Sequence, residues 1–207
     1  MTTRIVVAAA LAATLLASPA AWAGPPTDQL RSYTDAVIRV LEDPTLKADG
    51  RRGERRAAVR RLAVDVFDVN ETARRALGIH WQARSPAERE EFVVLFADLL
   101  ERTYINRIDY FGGERLRFVS ESIDGDAAIV RARVITRRGV EVPVDARLVR
   151  RGERWLVYDI AVENVSLIAN YRAQFDKIIR TSSYEDLIKR LRTKQAEFLE
   201  EHARKGA

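Results

Sequence analysis

The period of the apolar residues changes twice along this chain, and that limits the fold more than any other feature. As far as Tyr104, apolar side chains recur every three or four residues; after Gly112-Gly113 they alternate; from about Ser166 helical spacing returns. Helices, then an antiparallel meander, then helices describe a single α+β domain in which one sheet face takes the helices. There is no internal repeat, and no low-complexity stretch beyond the first residues.

Local signals divide the helical parts. Gly24-Pro25-Pro26 reads as an extended lead-in, and Thr27 as the cap of a helix whose Leu30, Tyr33, Val37 and Leu41 share a face. Pro44 and Asp49-Gly50 mark a loop. A second helix is predicted over about Glu54 to Val66. Asp68 followed by Glu71 forms a capping-box pattern, and Gly78 ends that short helix in a left-handed conformation. Ser85-Pro86-Ala87-Glu88 starts the next, with Phe92, Leu95, Phe96, Leu99, Thr103 and Tyr104 as an inward stripe. In the meander, Leu116 and Phe118 lie on a first strand, Val130, Ala132 and Val134 on a second, and Val142, Val144, Ala146 and Leu148 on a third. Asp124-Gly125, Arg138-Gly139 and Arg151-Gly152 supply the turns. Trp155 to Val162, apolar on both faces, is expected to be central or covered. A helix follows from about Ser166 to Arg180, and Ser183 with Asp186 caps a last one.

Residues 1–23 read as a secretory signal: Arg4, the apolar run Ile5 to Leu16, then Ala21-Trp22-Ala23, with cleavage expected after Ala23. The run is well short of the ~20 residues of a spanning helix, which makes an uncleaved anchor the weaker alternative. Residues 24–207 then form one exported domain, out of reach of ATP, NAD and nucleic acid. The chain has no cysteine, which excludes disulfides, thiol nucleophiles and zinc–thiolate sites. Its formal charge of +5 is modest and densest at Arg51, Arg52, Arg55, Arg56, Arg60 and Arg61. That stretch is either a solvated helix face or a docking patch for acidic partners or anionic headgroups.

Catalytic groups are sparse. His80 follows a helix end and His202 lies in a charged tail, too far apart in character to make a metal site. Ser166 lacks the glycines of a nucleophile elbow, and Asp68 reads as a cap. The chain is therefore read as performing no chemistry, with no catalytic residue, no metal and no cofactor.

Ala76-Leu77-Gly78, Trp81, the Ser85-Pro86 helix with Phe92 and Phe96, and Leu99-Leu100 with Thr103-Tyr104 resemble the middle of the MlaC (toluene-tolerance) family. Trp155-Leu156-Val157-Tyr158-Asp159-Ile160, then Val165-Ser166-Leu167-Ile168-Ala169-Asn170-Tyr171-Arg172 with Phe175, is more specific: a Trp-containing strand, a Val-Ser-Leu turn and an Asn-Tyr-Arg helix start. Leu187, Leu191 and Lys194 resemble the closing helix. The resemblance runs from about residue 28 to 197. Asn164 stands where the pattern has glycine, a position asparagine tolerates. The Arg51–Arg61 stretch is not part of the resemblance.

The resemblance implies a curved antiparallel four-stranded sheet, NTF2/cystatin-like, wrapped by about six helices around an elongated apolar cavity. It also implies a monomeric periplasmic carrier of phospholipid, between an outer-membrane MlaA-type lipoprotein complex and an inner-membrane MlaD-type ABC transporter complex, supporting outer-membrane lipid asymmetry. Burying a tail of ~16 carbons at ~0.8 kcal/mol per methylene supplies on the order of 10 kcal/mol without a single hydrogen bond. The expected tail lining is Leu95, Phe96, Leu99, Tyr171 and Phe175 opposite Val130, Val134, Val144, Leu148 and Val157. Tyr104, Tyr110 and Arg172 are expected at the cavity mouth. Each of these also fits ordinary core or a local salt bridge. Three alternatives stay open: a hopanoid-like cargo, an NTF2-like enzyme acting on a small hydrophobic substrate through Asp159 and Tyr171, and a docking module using the arginine-rich helix.

Overall fold

The computed structural model describes residues 25–48 and 50–206. The expected signal segment 1–23, its cleavage after Ala23, Gly24 and Asp49 lie outside the described residues. Seven α-helices and five strands follow in the order α1 (Pro25–Glu42), α2 (Pro44–Lys47), α3 (Arg52–Val66), α4 (Val69–Leu77), α5 (Pro86–Ile105), β1 (Arg115–Asp124), β2 (Ala127–Ile135), β3 (Glu141–Arg151), β4 (Arg154–Val162), β5 (Val165–Ser166), α6 (Leu167–Thr181) and α7 (Tyr184–Gly206). Short 3₁₀ turns occupy Gly78–Trp81 and Asn106–Tyr110.

The capping signals act as read, with two exceptions. Ser85 N–H donates to Glu88 Oε2 at 2.7 Å while Glu88 N–H donates to Ser85 Oγ, a reciprocal capping box at the start of α5. Ser166 Oγ and Ser183 Oγ accept from Ala169 N–H and Asp186 N–H in α6 and α7. Asp68 accepts from Glu71 N–H, yet Glu71 does not reach back: the Asp68 N–H donates instead to the Val157 carbonyl of β4. The other exception is α1, which begins at Pro25 and not after an extended lead-in. Prolines suit a first turn because their missing N–H has no intrahelical partner there. Thr27 lies inside that turn, and both its N–H and its hydroxyl donate to Glu121 Oε2 across on β1. The cap of α1 is thus a carboxylate from the sheet, placed where the helix dipole favours it.

All strand pairs are antiparallel, in the order β1-β2-β3-β4-β5, one strand more than the four expected. The extra strand is the Val165–Ser166 pair, turned back on Val162 and Ala161. Glu163 and Asn164 at the tip both take positive φ, 50° and 67°. Asparagine thus serves at the turn where glycine was expected. The seventh helix is the single turn α2, capped by Asp43 accepting from Thr45 N–H at 2.7 Å. Proline at its first position starts a helix where the sequence suggested only a loop. Nor is β4 central. It is the last long strand, and β5 and a parallel bridge from Phe67 to Val157 cover its outer edge.

Two separate cores hold the described residues together. In the helical one, Phe92, Leu95 and Phe96 of α5 pack with Ala73, Ala76 and Leu77 of α4, Ile168 and Phe175 of α6, and Leu187, Ile188 and Leu191 of α7. Phe96 meets Phe175 edge-on at 5.3 Å between ring centres and Tyr171 at 5.1 Å. Tyr184 is buried against it; burial pushes its phenol up to about 12, and its hydroxyl donates to the Glu88 carbonyl. The second core lies on the sheet, where Ala128, Val130, Ala146, Leu148, Trp155 and Val157 meet Leu30 of α1 and Val66 of α3. Arg151 of β3 bridges the two halves, donating to Asp68 Oδ2 at 2.8 Å and lying 3.5 Å from Glu71.

Candidate functional site

Between the sheet and the α1–α3 pair the packing does not close. A cavity of about 390 Å³ remains, walled by Leu30, Tyr33, Thr34, Val37, Ile38 and Leu41 of α1 and by Val59, Ala63 and Val66 of α3. Phe67, Phe111, Leu116, Val134, Val157 and Ile160 complete an almost wholly apolar surface. Side-chain size contributes: Val59, Ala63 and Val66 of α3 are short, and they leave room opposite Leu116, Val134, Val157 and Ile160 of the sheet. Such a space offers water few polar partners and falls within the ~300–1,000 Å³ usual for small-molecule sites.

Charge enters only at the margins. Glu114 and Arg115 lie on the wall where β1 begins. Glu114 accepts from Gly112 N–H at 2.7 Å, and that bond holds its carboxyl below the usual range. Asp109, two residues before Phe111, is held by Arg55 and Arg56 of α3.

Of the residues expected to line the cavity, Val134 and Val157 do so. Val130 and Leu148 belong to the adjoining sheet core. Val144 is half-buried between Ala132 and Val162 in the ladder. Leu95, Phe96, Leu99, Tyr171 and Phe175 pack in and against the helical core and are not on this wall. Leu99 instead borders a smaller cleft of about 240 Å³ between α5 and α7. The residues expected at the mouth are dispersed. Thr103 and Tyr104 end the α5 stripe exposed, Tyr110 is 84 % exposed, and Arg172 lies over Gly78 at the α4–α6 junction. Gly78 has φ +58°, and a Cβ there would come within 2.9 Å of Arg172 Cδ.

The wall residues that sequence reasoning did not place at a cavity are chiefly those of α1 and α3. Leu30, Tyr33, Val37 and Leu41 were legible as a shared face, but helical spacing cannot say what that face meets. Ala63 adds a small side chain to this wall.

Asp159 and Tyr171, through which an NTF2-like enzyme was expected to act, are engaged in structural contacts. Asp159 accepts from Arg147 at 2.8 Å, Ser166 Oγ at 2.6 Å and Ile168 N–H at 3.1 Å, clamping β3, β4 and the start of α6. Tyr171 packs in the aromatic cluster. His80 meets Asp176 at 2.9 Å, a bond that lowers the Asp176 carboxyl. Among the described residues no three His, Asp or Glu side chains group as metal ligands, and no helix is long and apolar enough to cross a membrane.

The family model for the MlaC protein matches residues 31–193, which include the whole cavity wall except Leu30. The chain belongs to the MlaC family. A relative from Haemophilus influenzae, an intermembrane phospholipid transport system binding protein named MlaC, is 23% identical over 141 residues, 66% of this chain and 66% of that protein. The match thus spans just under two thirds of the relative's length. Among solved structures, a phospholipid-binding protein from Ralstonia solanacearum, in complex with a phospholipid, superposes with a TM-score of 0.72 at 23% identity, over 83% of this chain and 97% of that one. That likeness establishes the α+β fold with its curved antiparallel sheet.

Proposed function

We propose that this MlaC-family chain is a periplasmic phospholipid carrier that holds acyl chain in the cavity between α1, α3 and the sheet. The observation that carries the reading is the cavity itself: about 390 Å³, apolar, and walled, apart from Leu30, by residues within the family match. The names of the two relatives support phospholipid as the cargo. Binding then needs no catalytic group. Each methylene moved from water to this wall contributes ~0.8 kcal/mol, so the tail supplies the affinity. Val134 and Val157 contribute to the tail wall directly, and Val130 and Leu148 support it from the sheet core.

The carrier works between an MlaA-type lipoprotein complex at the outer membrane and an MlaD-type ABC transporter complex at the inner membrane, and so supports outer-membrane lipid asymmetry. It does so as a monomer. Native mass spectrometry of residues 24–207, purified from a bacterial periplasm without detergent, tests the reading. The expected result is a mass increment of one phospholipid. A chain that stays at its bare mass even after incubation with phospholipid vesicles contradicts it, and an increment matching a hopanoid replaces the cargo.

A further inference from the structure

The arginine-rich start of α3 has a use that the carrier reading leaves open. Arg55 and Arg56 precede Val59 by four and three positions, so both lie one turn beyond a cavity-wall residue on neighbouring helix faces. Asp109 comes to the same place from the 3₁₀ turn before Phe111, another wall residue. Arg55 Nη2 donates to Asp109 Oδ1 at 2.9 Å, and Arg56 Nη2 donates to Oδ2. The neighbouring arginines are engaged elsewhere, Arg51 with Glu54 and Arg60 with Glu101.

Two guanidinium groups therefore share one carboxylate, which leaves an excess of one positive charge at the end of an apolar space. Their donors are also in excess. The Nε atoms of Arg55 and Arg56 are both buried without a hydrogen-bond partner. A guanidinium presents five N–H groups, and its Nε–Nη edge is a fork for two oxygens of one anion. Asp109 cannot fill two such forks at once, so it meets each arginine through a single nitrogen. Burial works to raise the Asp109 carboxyl, but the bonds from Arg56 and Arg55 outweigh it and keep the group ionised.

A phosphate is the anion that corrects this shortage, because its non-bridging oxygens fit the fork bidentately. We propose that Arg55 and Arg56 form a phosphate site at the α3 end of the cavity, with Asp109 as the internal anion that a lipid's phosphate group displaces. The inference rests on the carrier reading and deepens it. Tail burial alone does not distinguish a phospholipid from a neutral lipid with the same tails; this site does. Asp109 returning to the arginines as cargo leaves would keep the pair from standing unpaired.

The test compares uptake of dioleoylphosphatidylglycerol and dioleoylglycerol by residues 24–207, read by native mass spectrometry after exchange from mixed dispersions. The tails are identical and only one lipid carries phosphate. The parent is expected to favour the phospholipid by about tenfold, the scale of one charge-assisted hydrogen bond. Arg55→Gln/Arg56→Gln brings the ratio close to one while dioleoylglycerol uptake is unchanged, and Asp109→Asn raises phospholipid uptake. Should the double variant not fold, Arg56→Gln alone, at the more exposed of the two side chains, carries the same expectation. A ratio that stays at the parent's value in the folded arginine variants overturns the proposal. So does inorganic phosphate alone raising the melting temperature of the parent and not of Arg56→Gln with the lipid ratio unmoved, which makes free phosphate the ligand. A parent that takes up neither lipid overturns the carrier reading and this site with it.

Discussion

The two cores of this protein use the same kinds of residue to opposite ends. Among α4, α5, α6 and α7, long aromatic and branched side chains interlock, with Phe92, Phe96 and Phe175 each almost wholly buried. Under α1 and α3, the leucines, isoleucine and tyrosine of α1 and the shorter Val59, Ala63 and Val66 of α3 stand over Leu116, Val134, Val157 and Ile160 of the sheet, and the space between stays open. Both faces are apolar at regular spacing. What separates a solid core from a container is the volume that meets across the gap. The helical half is therefore the frame, and the sheet half with its two helices is the part that can take in a guest.

That comparison is best broken by shortening one side chain in each half. Phe96→Ala removes a ring from a filled core and is expected to cost about 3–5 kcal/mol in denaturant unfolding. Val37→Ala, on a wall that already faces open space, is expected to cost less than ~1 kcal/mol, because few contacts are lost. Equal losses at the two positions would erase the distinction between frame and container.

A somewhat smaller loss is expected at the seam. Asp159 ties β3 and β4 to the first turn of α6, and Asp159→Ala strips three donors of their acceptor and leaves Arg147 unpaired. The expected cost is ~3 kcal/mol, read from the same unfolding curves. A loss below ~1 kcal/mol would mean that the frame and the sheet are joined by something else.

The smallest effect is one of pH. Glu71, bonded by Arg74 and then by Arg75, with Arg151 of β3 nearby, has its carboxyl lowered from 4.5 to about 2. Its folded-state pKa is depressed, so its stabilisation is complete above the unfolded value and disappears as the carboxylate protonates. The melting temperature should fall as pH drops from 4.5 towards 2, and Glu71→Gln should flatten that fall. An unchanged acid slope in Glu71→Gln would remove this contact from the seam.

These halves were unequally legible in the sequence. Whatever is decided within a few residues could be read: the Ser85–Glu88 box, the Ser166 and Ser183 caps, the glycine turns of the meander, and Asn164 at a positive-φ position. The change of period placed the sheet between helices. What could not be read depends on residues distant in sequence. Phe96 and Val37 have the same helical periodicity, yet one meets Phe175 and the other a void. Thr27 finds its carboxylate on β1, and Arg55 and Arg56 find theirs at Asp109, more than fifty residues away. The α5 and α6 stripes were expected to face the sheet across a cavity. They face each other instead, because their rings are large enough to fill the space between them.

Photolabelling with a phosphatidylglycerol carrying a diazirine in its acyl chain tests most directly where the guest resides. After uptake and irradiation, peptide mapping should place the adducts on α1 and α3, at residues such as Val37, Ile38 and Ala63, and on the sheet at Val134. Adducts concentrated on Leu95, Phe96, Tyr171 and Phe175 would put the lipid between the helices of the frame and contradict the account.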